Sequence, residues 1–263
     1  MVNTQPMWFI RLRRQWTLAD GHRRRGRKDH AAAEAAYRRA LALDERALGA
    51  EHPDVAEDLS LLGALLADAG RAAEAEAAYR RALAVLEKAR GPDHPETAGA
   101  LTRIAALCDA GQRRDEAEGL LRRALAVREK AFGPDHPDVA VGRITLAGIL
   151  VEKGRHADAE PMLNRSLAAV HRAFGPDHPE MARAYNALAT IHREHGNLPQ
   201  AEALYRRALK ILEKARGPGD RSLSPVLENL ADALRKAGRA TEAVALDTRA
   251  ASLRPNGNTD STD

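Results

Sequence analysis

Aromatic residues are scarce: Phe, Trp and Tyr together make up 3% of the 263 residues. With hydrophobic content at 44% and Ala and Leu dominating it, any core must be assembled from small and medium aliphatic side chains. There is one cysteine, Cys108, which excludes an internal disulfide framework and a zinc site built on several thiolates. No run of 18 or more apolar residues occurs, so no membrane-spanning helix is expected. The stretch "PMWFI" (6–10) is too short for the apolar core of a signal peptide. These absences together point to a cytoplasmic protein. Also missing are G-x-S-x-G, a P-loop, H-E-x-x-H and a Gly-rich dinucleotide turn. The chain is therefore expected to be no enzyme, with no catalytic residue, no cofactor, no metal and no small-molecule substrate.

What is present is a period. "GPDHP" stands at residues 91–95, 133–137 and 175–179, with a looser "GAEHP" at 49–53 and a decayed "GPGDR" at 217–221. The initial glycines, Gly49, Gly91, Gly133, Gly175 and Gly217, are all 42 residues apart. Each unit carries two helical patterns, such as "DVAEDLSLLGALLADAG" (54–70) and "AEAEAAYRRALAVLEKAR" (73–90). In the first helix Leu59, Leu62 and Leu66 recur at three- and four-residue spacing, as do Tyr185, Leu188 and His192. Its centre is small (Gly63, Ala105, Ala147, Ala189, Ala231), which allows a neighbouring helix to come close. Gly70, Gly111, Gly154, Gly196 and Gly238 mark its end as left-handed stops. Gly111 comes one residue early, so that helix is expected to be trimmed and its turn lengthened. In the second helix a small–large–small series recurs, as in Ala75, Tyr79 and Ala82. The pairs Glu34–Arg38, Glu76–Arg80, Glu118–Arg122 and Glu202–Arg206 favour an exposed helix by about 0.2–0.5 kcal/mol each. The recurring "RR" doublets read as a solvated face.

The helix pair "L..LA/G..L…G" followed by "A.AE..YRRAL" resembles the tetratricopeptide repeat. Its 42-residue length, the "GPDHP" between units and the "EK" late in the second helix resemble the kinesin-light-chain type, also common in bacterial proteins. The resemblance covers about residues 27–253. It implies an all-α, right-handed superhelical solenoid of antiparallel helix pairs. A half unit and five units are expected over residues 29–253, after a basic segment at 1–28 and before a disordered tail from 254. No heptad segment precedes the repeats, so a motor-attachment role is not carried over.

In "GPDHP" the glycine is expected to adopt the left-handed conformation beyond the second helix, and Pro92 to block its continuation. Asp93 is expected to cap the next helix and Glu96 to reach back, a D-x-x-E box repeated at Asp135–Asp138 and Asp177–Glu180. Pro95 suits the first turn. A shared metal is excluded by spacing: equivalent points on packed helices lie about 8–10 Å apart, whereas zinc ligands sit about 2.0–2.1 Å from the ion. His52, His94, His136 and His178 are thus expected to form a row, each packing on its turn or bonding a backbone carbonyl. Cys108 reads as a buried small hydrophobe, and His192 as a half-buried packing residue. "HREHG" (192–196) puts two histidines on one helix face, with no third ligand type nearby in sequence.

The resemblance implies a concave groove, lined by first helices, that takes another protein's peptide or helix. By position within the repeat the groove residues are Glu57 and Ser60; Thr102 and Arg103; Ile144 and Thr145; Arg183, Asn186, Thr190 and Arg193; and Glu228, Asn229 and Asp232. Early units add Ala64, Ala106 and Gly148, so the groove is expected to be apolar at one end and polar at the other. "LENLA" (227–231) resembles the family's "LNNLA" with Glu228 in place of an Asn.

The net charge of +4 is uneven. Residues 1–28 hold eight Arg or Lys against one Asp, while the remaining residues hold 33 basic against 36 acidic. That segment is expected either to complete the first unit, with Trp8 and Trp16 packed on the helix of Tyr37, or to lie exposed and contact nucleic acid, membrane or acidic protein. Asp247, where other second helices place Tyr79, Leu121, Leu163 or Tyr205, reads as a polar cap. The expected function is a non-catalytic protein-interaction scaffold. The alternatives are a nucleic-acid- or membrane-associated adaptor using the basic segment, and a self-assembling or regulatory module.

Overall fold

The structure is a computed structural model that describes residues 7–27 and 29–254, with only the backbone of residues 7–14. Trp8's side chain and the tail from residue 255 fall outside the described residues. All regular structure among the described residues is helical. The helices are α1 (Met7–Gly26), α2 (His30–Leu48), α3 (Pro53–Asp68), α4 (Ala72–Arg90), α5 (Pro95–Ala110), α6 (Arg114–Phe132), α7 (Pro137–Glu152), α8 (His156–Phe174), α9 (Pro179–Glu194), α10 (Leu198–Arg216), α11 (Ser224–Lys236) and α12 (Ala240–Ser252). The chain divides after Ala131 into two compact units.

In the first unit α1 packs on α2, α2 on α3, α3 on α4 and α4 on α5. Four helices that open the sequence repeats, α3, α5, α7 and α9, are each 16 residues long, and the second helices α2, α4, α6, α8 and α10 are each 19. The small–large–small series explains the pairing. Ala75, Tyr79 and Ala82 are buried on α4, and the Tyr79 ring lies where a Cβ on Gly63 of α3 would come within 2.9 Å of it. Gly21 of α1 faces Tyr37 in the same way, at 2.6 Å. α1 thus occupies the first-helix place in front of α2, although Thr17, Asp20 and Arg24 stand where α3 has Leu59, Leu62 and Leu66. Trp16 is not packed on the helix of Tyr37: it is 71% exposed. Another core cluster joins Ala98 and Leu101 of α5 to Ala124 and Val127 of α6, with Leu83 and Leu120 against it.

In the second unit α7 packs on α8, α8 on α9, α9 on α10, α10 on α11 and α11 on α12. Tyr205 is fully buried, and burial of a ring of that size contributes about 1.5–3 kcal/mol. Arg143 takes the apolar slot that Leu59 and Leu101 fill elsewhere. It is 7% exposed, and its guanidinium donates to the Pro134 carbonyl at 2.7 Å. Asp247 accepts from Arg235 at 2.5 Å.

Two turn types alternate. After each first helix the chain closes a Schellman turn, with Arg71 N–H donating to Leu66 O (2.9 Å) and its counterparts at Arg113, Arg155, Asn197 and Arg239. The left-handed position is Gly70, Gly154, Gly196 and Gly238, but Gln112 (φ 61°) in the turn after α5. Gly111 there has φ −83°. The expected trimming does not occur: α5 keeps its 16 residues, and a displaced glycine leaves Gln112 in a conformation costing a non-glycine residue about 1–2 kcal/mol. The loop glycines after α2, α4, α8 and α10 have positive φ with extended ψ, as at Gly91 (88°, 158°), rather than the expected left-handed helical values. That region is essentially confined to glycine.

Candidate functional site

Four first helices, α3, α5, α7 and α9, start from a histidine N-cap. At α5, α7 and α9 it replaces the expected caps Asp93, Asp135 and Asp177. The Nδ1 atoms of His52, His94, His136 and His178 accept the backbone N–H of Asp54, Glu96, Asp138 and Glu180 at 3.2, 3.3, 3.2 and 3.3 Å. The imidazoles of His136 and His178 also stack on Phe132 and Phe174, with centroids 4.7 and 4.5 Å apart. In the decayed copy Asp220 holds the histidine's place and accepts from Ser222 N–H at 2.8 Å, before a 3-10 turn (Arg221–Leu223) leads into α11. The loop aspartates do something else: Asp93 accepts from Lys130 at 2.5 Å, Asp135 from Arg165 at 3.0 Å, and Asp177 from Lys214. Each ties its loop to the second helix of the following repeat.

With that framework fixed, each unit has a cleft beside its first helices. In the first unit a cleft of about 520 Å³ is lined by Pro53, Ala56, Glu57 and Ser60 of α3, by Leu86 and Arg90 at the end of α4, and by Gly99 and Arg103 of α5. Asp54 and Glu96 add carboxylates, and Arg90 donates to Glu96 at 2.6 Å. Thr102 is turned to internal use: it donates to Ala98 O at 2.7 Å and accepts from Arg128 at 3.0 Å. Arg103 lies 5.9 Å from the centre of the Tyr79 ring.

In the second unit a cleft of about 240 Å³ is lined by Pro179, Ala182, Arg183 and Asn186 of α9, by Leu212 and Arg216 at the end of α10, and by Ser222, Pro225 and Val226. Its first six residues each lie three repeats, 126 positions, beyond a lining residue of the other cleft. The slot is thus the same and its charge is not: Arg183 stands for Glu57, Asn186 for Ser60 and Ser222 for Glu96. No carboxylate lines this cleft among the described residues.

A polar chain adjoins it. Asn229 Nδ2 donates to Asn186 Oδ1 at 3.2 Å, Arg193 donates to Asn229 Oδ1 at 3.4 Å, and Arg193 pairs with Asp232 at 3.2 Å. Arg183 reaches Thr145 Oγ1 at 3.3 Å and Glu180 at 2.9 Å. Thr190 hydrogen-bonds the buried Tyr205 hydroxyl at 2.9 Å, and Glu228 accepts from Arg254 at 2.5 Å. Ile144 does not line a groove: it is 2% exposed and belongs to the core. The sequence reading missed Arg90 and Arg216, which close the two clefts from the second helices. Their signal is the position before the loop glycine, held by Arg here and by Leu48, Phe132 and Phe174 elsewhere.

The outer face of the second helices is a ladder of ion pairs. Glu34, Glu76, Glu118 and Glu202 pair with Arg38, Arg80, Arg122 and Arg206 four residues on. Three of these carboxylates also take an arginine from the next turn: Glu34 from Arg71, Glu76 from Arg113 and Glu202 from Arg239. A hydrogen bond from Arg113, helped by Arg80, holds the Glu76 carboxyl below its ordinary range against the opposing effect of burial. Cys108 is fully buried; burial pushes its thiol up. One ligand atom each of Glu76, Cys108 and Glu116 lies within 4.8 Å of the others, but Arg80 and Arg113 occupy both carboxylates. In the basic N-terminal stretch Arg24 pairs with Asp20 at 2.7 Å and Arg25 with Asp68 at 2.6 Å. No described helix is long and apolar enough to cross a membrane.

A family model described as tetratricopeptide repeat matches residues 15–88, 59–130, 100–170, 139–214 and 196–256. Among solved structures, BtubC (BKLC) from P. vanneervenii is similar in fold (TM-score 0.61, 24% identity), the match covering 89% of this chain and 94% of that one. A Podospora anserina putative kinesin light chain with nearly identical TPR-like repeats, in a singly substituted form, matches at TM-score 0.63 and 20% identity over 79% of this chain and 96% of that one. The apo form of RapI matches at TM-score 0.71 and 13% identity over 96% and 85%. No curated protein sequence matches the chain.

Proposed function

The chain belongs to the tetratricopeptide-repeat family, whose repeats generally mediate protein–protein interaction, and from that premise we propose that its first-helix face binds an extended peptide or a helix of another protein. The observation that carries this reading is the recurrence of one cleft, three repeats on, with its charge changed. Repeat packing alone accounts for the apolar floor of each cleft, Ala56 and Leu86 in one and Ala182 and Leu212 in the other. It does not call for Glu57 at the first or Arg183 at the second, the equivalent position at which the two clefts carry opposite charge, while Arg90 and Arg216 are common to both. At Glu57 the cleft of the first unit suits a basic side chain of its ligand, and at Arg183 the cleft of the second unit suits an acidic one. The protein acts as a non-catalytic scaffold in the cytoplasm, and Asn186, Asn229, Arg193 and Asp232 supply directional hydrogen bonds beside the second cleft.

The test is selection of peptides from a displayed random library on the wild-type chain, followed by fluorescence-polarisation binding to Glu57→Arg and Arg183→Glu. Selected peptides should include some with a basic residue, bound in the first unit, and some with an acidic residue, bound in the second. The first variant should weaken binding of the basic peptides and the second that of the acidic ones, by about tenfold each, a loss of roughly 1.4 kcal/mol. Peptides that bind both variants as well as the wild type would move the site off this face.

A further inference from the structure

We propose that His156 and His195 form a surface binding site for a divalent transition metal that favours imidazole: copper(II), nickel(II) or zinc. His156 opens α8 and His195 is the C-cap of α9, so the two rings come from the turns of successive repeats. His156 Nδ1 and His195 Nε2 are 3.4 Å apart, with ring centroids 5.2 Å apart and planes at 73°. Two nitrogens each about 2.0–2.1 Å from one zinc at the tetrahedral angle are themselves about 3.3–3.4 Å apart. The pair already has the bite of a chelate. In the hydrogen-bonded pair one imidazole donates its N–H to the other; a shift of that proton to the donor ring's other nitrogen, with a tilt of both rings toward an ion beside the line joining the nitrogens, turns both lone pairs to the metal.

Repeat packing does not require the pair. At equivalent places the sequence has His30 and Ala69, Ala72 and Gly111, Arg114 and Lys153, and Leu198 and Ala237. Histidine holds both positions once. The histidines of the "GPDHP" loops are different, because their Nδ1 atoms are engaged as helix caps. Neighbouring carboxylates are engaged too: Glu194 with Arg193 at 2.9 Å and Lys236 at 3.6 Å, and Asp158 with Arg155. Water therefore completes the coordination, and a two-imidazole site favours copper over nickel and zinc. A bound ion clamps the start of α8 to the end of α9, and an ion that binds only the folded state raises the melting temperature.

The full chain is titrated with copper(II), nickel(II) and zinc salts, each alone, in a non-coordinating buffer, and followed by calorimetry and thermal melting. The expected result is one ion bound per chain, tightest for copper, with a melting temperature that rises with metal concentration. Both effects should weaken by about tenfold or more in His156→Ala and in His195→Ala, and persist in His171→Ala, which removes an exposed histidine elsewhere on α8. Copper EPR of the wild type should show coupling to two imidazole nitrogens, lost in either pair variant. Absence of binding, or binding unchanged in both pair variants, would leave the two rings as a hydrogen-bonded pair only and overturn the proposal.

Discussion

At the start of α3, α5, α7 and α9 one histidine nitrogen lone pair meets a spare backbone donor. His94 Nδ1 accepts from Glu96 N–H, and in the last repeat Asp220 does the same for Ser222. The position therefore asks for a short acceptor side chain rather than for imidazole chemistry. His94→Ala should destabilise the first unit by about 1 kcal/mol, the usual worth of a cap, while His94→Asp should retain most of that stability. Asp93→Asn should cost less than about 0.5 kcal/mol, because Asp93 takes part in an exposed pair with Lys130. Urea melts of the three variants decide the matter; an Asp93→Asn loss larger than that of His94→Ala would restore the cap to the aspartate. The sequence spacing made both residues visible as a helix start. Which of them caps was not legible, since it turns on the one-residue offset that Gly91 creates with its positive φ and extended ψ.

The second helix is where repeats are tied to one another in the first unit. Arg71 joins Glu34 to Glu74, and Arg113 joins Glu76 to Glu116. The helical spacing gave away the Glu76–Arg80 pair, but not the arginine arriving from the next turn. That contact depends on helix stacking, which a linear pattern does not encode. Its consequence is a pH dependence. The Glu76 carboxyl is lowered chiefly by Arg113, so its contribution is present above the ordinary glutamate range and is lost as pH falls through the lowered folded value. Arg113→Met should therefore melt below the wild type at neutral pH. The gap should begin to shrink as pH falls below about 4, where the unfolded carboxyl takes up its proton, close as the folded carboxyl follows at its lowered value, and narrow in high salt. A gap that stays constant from pH 7 to pH 3 would show that Arg113 acts through packing alone.

At the scale of the whole molecule the 42-residue period made the helix order legible, because one supersecondary unit copied along a chain must bury its faces against its neighbours. Less legible was which residues remain open for a partner. Ile144 has the groove position in the repeat yet is buried, while Arg90 and Arg216 come from helices with no groove role in that pattern. Stability is also uneven, and that can be tested within the second unit. α9 buries eight residues, among them Met181, Tyr185, Leu188 and Ile191, whereas α12 buries Ala243 and Ala250 and leaves Val244 62% exposed. Each large apolar side chain kept from water is worth about 1.5–3 kcal/mol, so opening α12 costs less than opening α9 by more than the roughly 1.4 kcal/mol that makes a tenfold difference. The ion pairs of Arg239 with Glu202 and Glu242 do not offset this, being half-exposed and worth little. Hydrogen exchange read by mass spectrometry should show α12 amides exchanging more than about tenfold faster than those of α9. Equal protection in the two helices would mean that the second unit opens only as a whole.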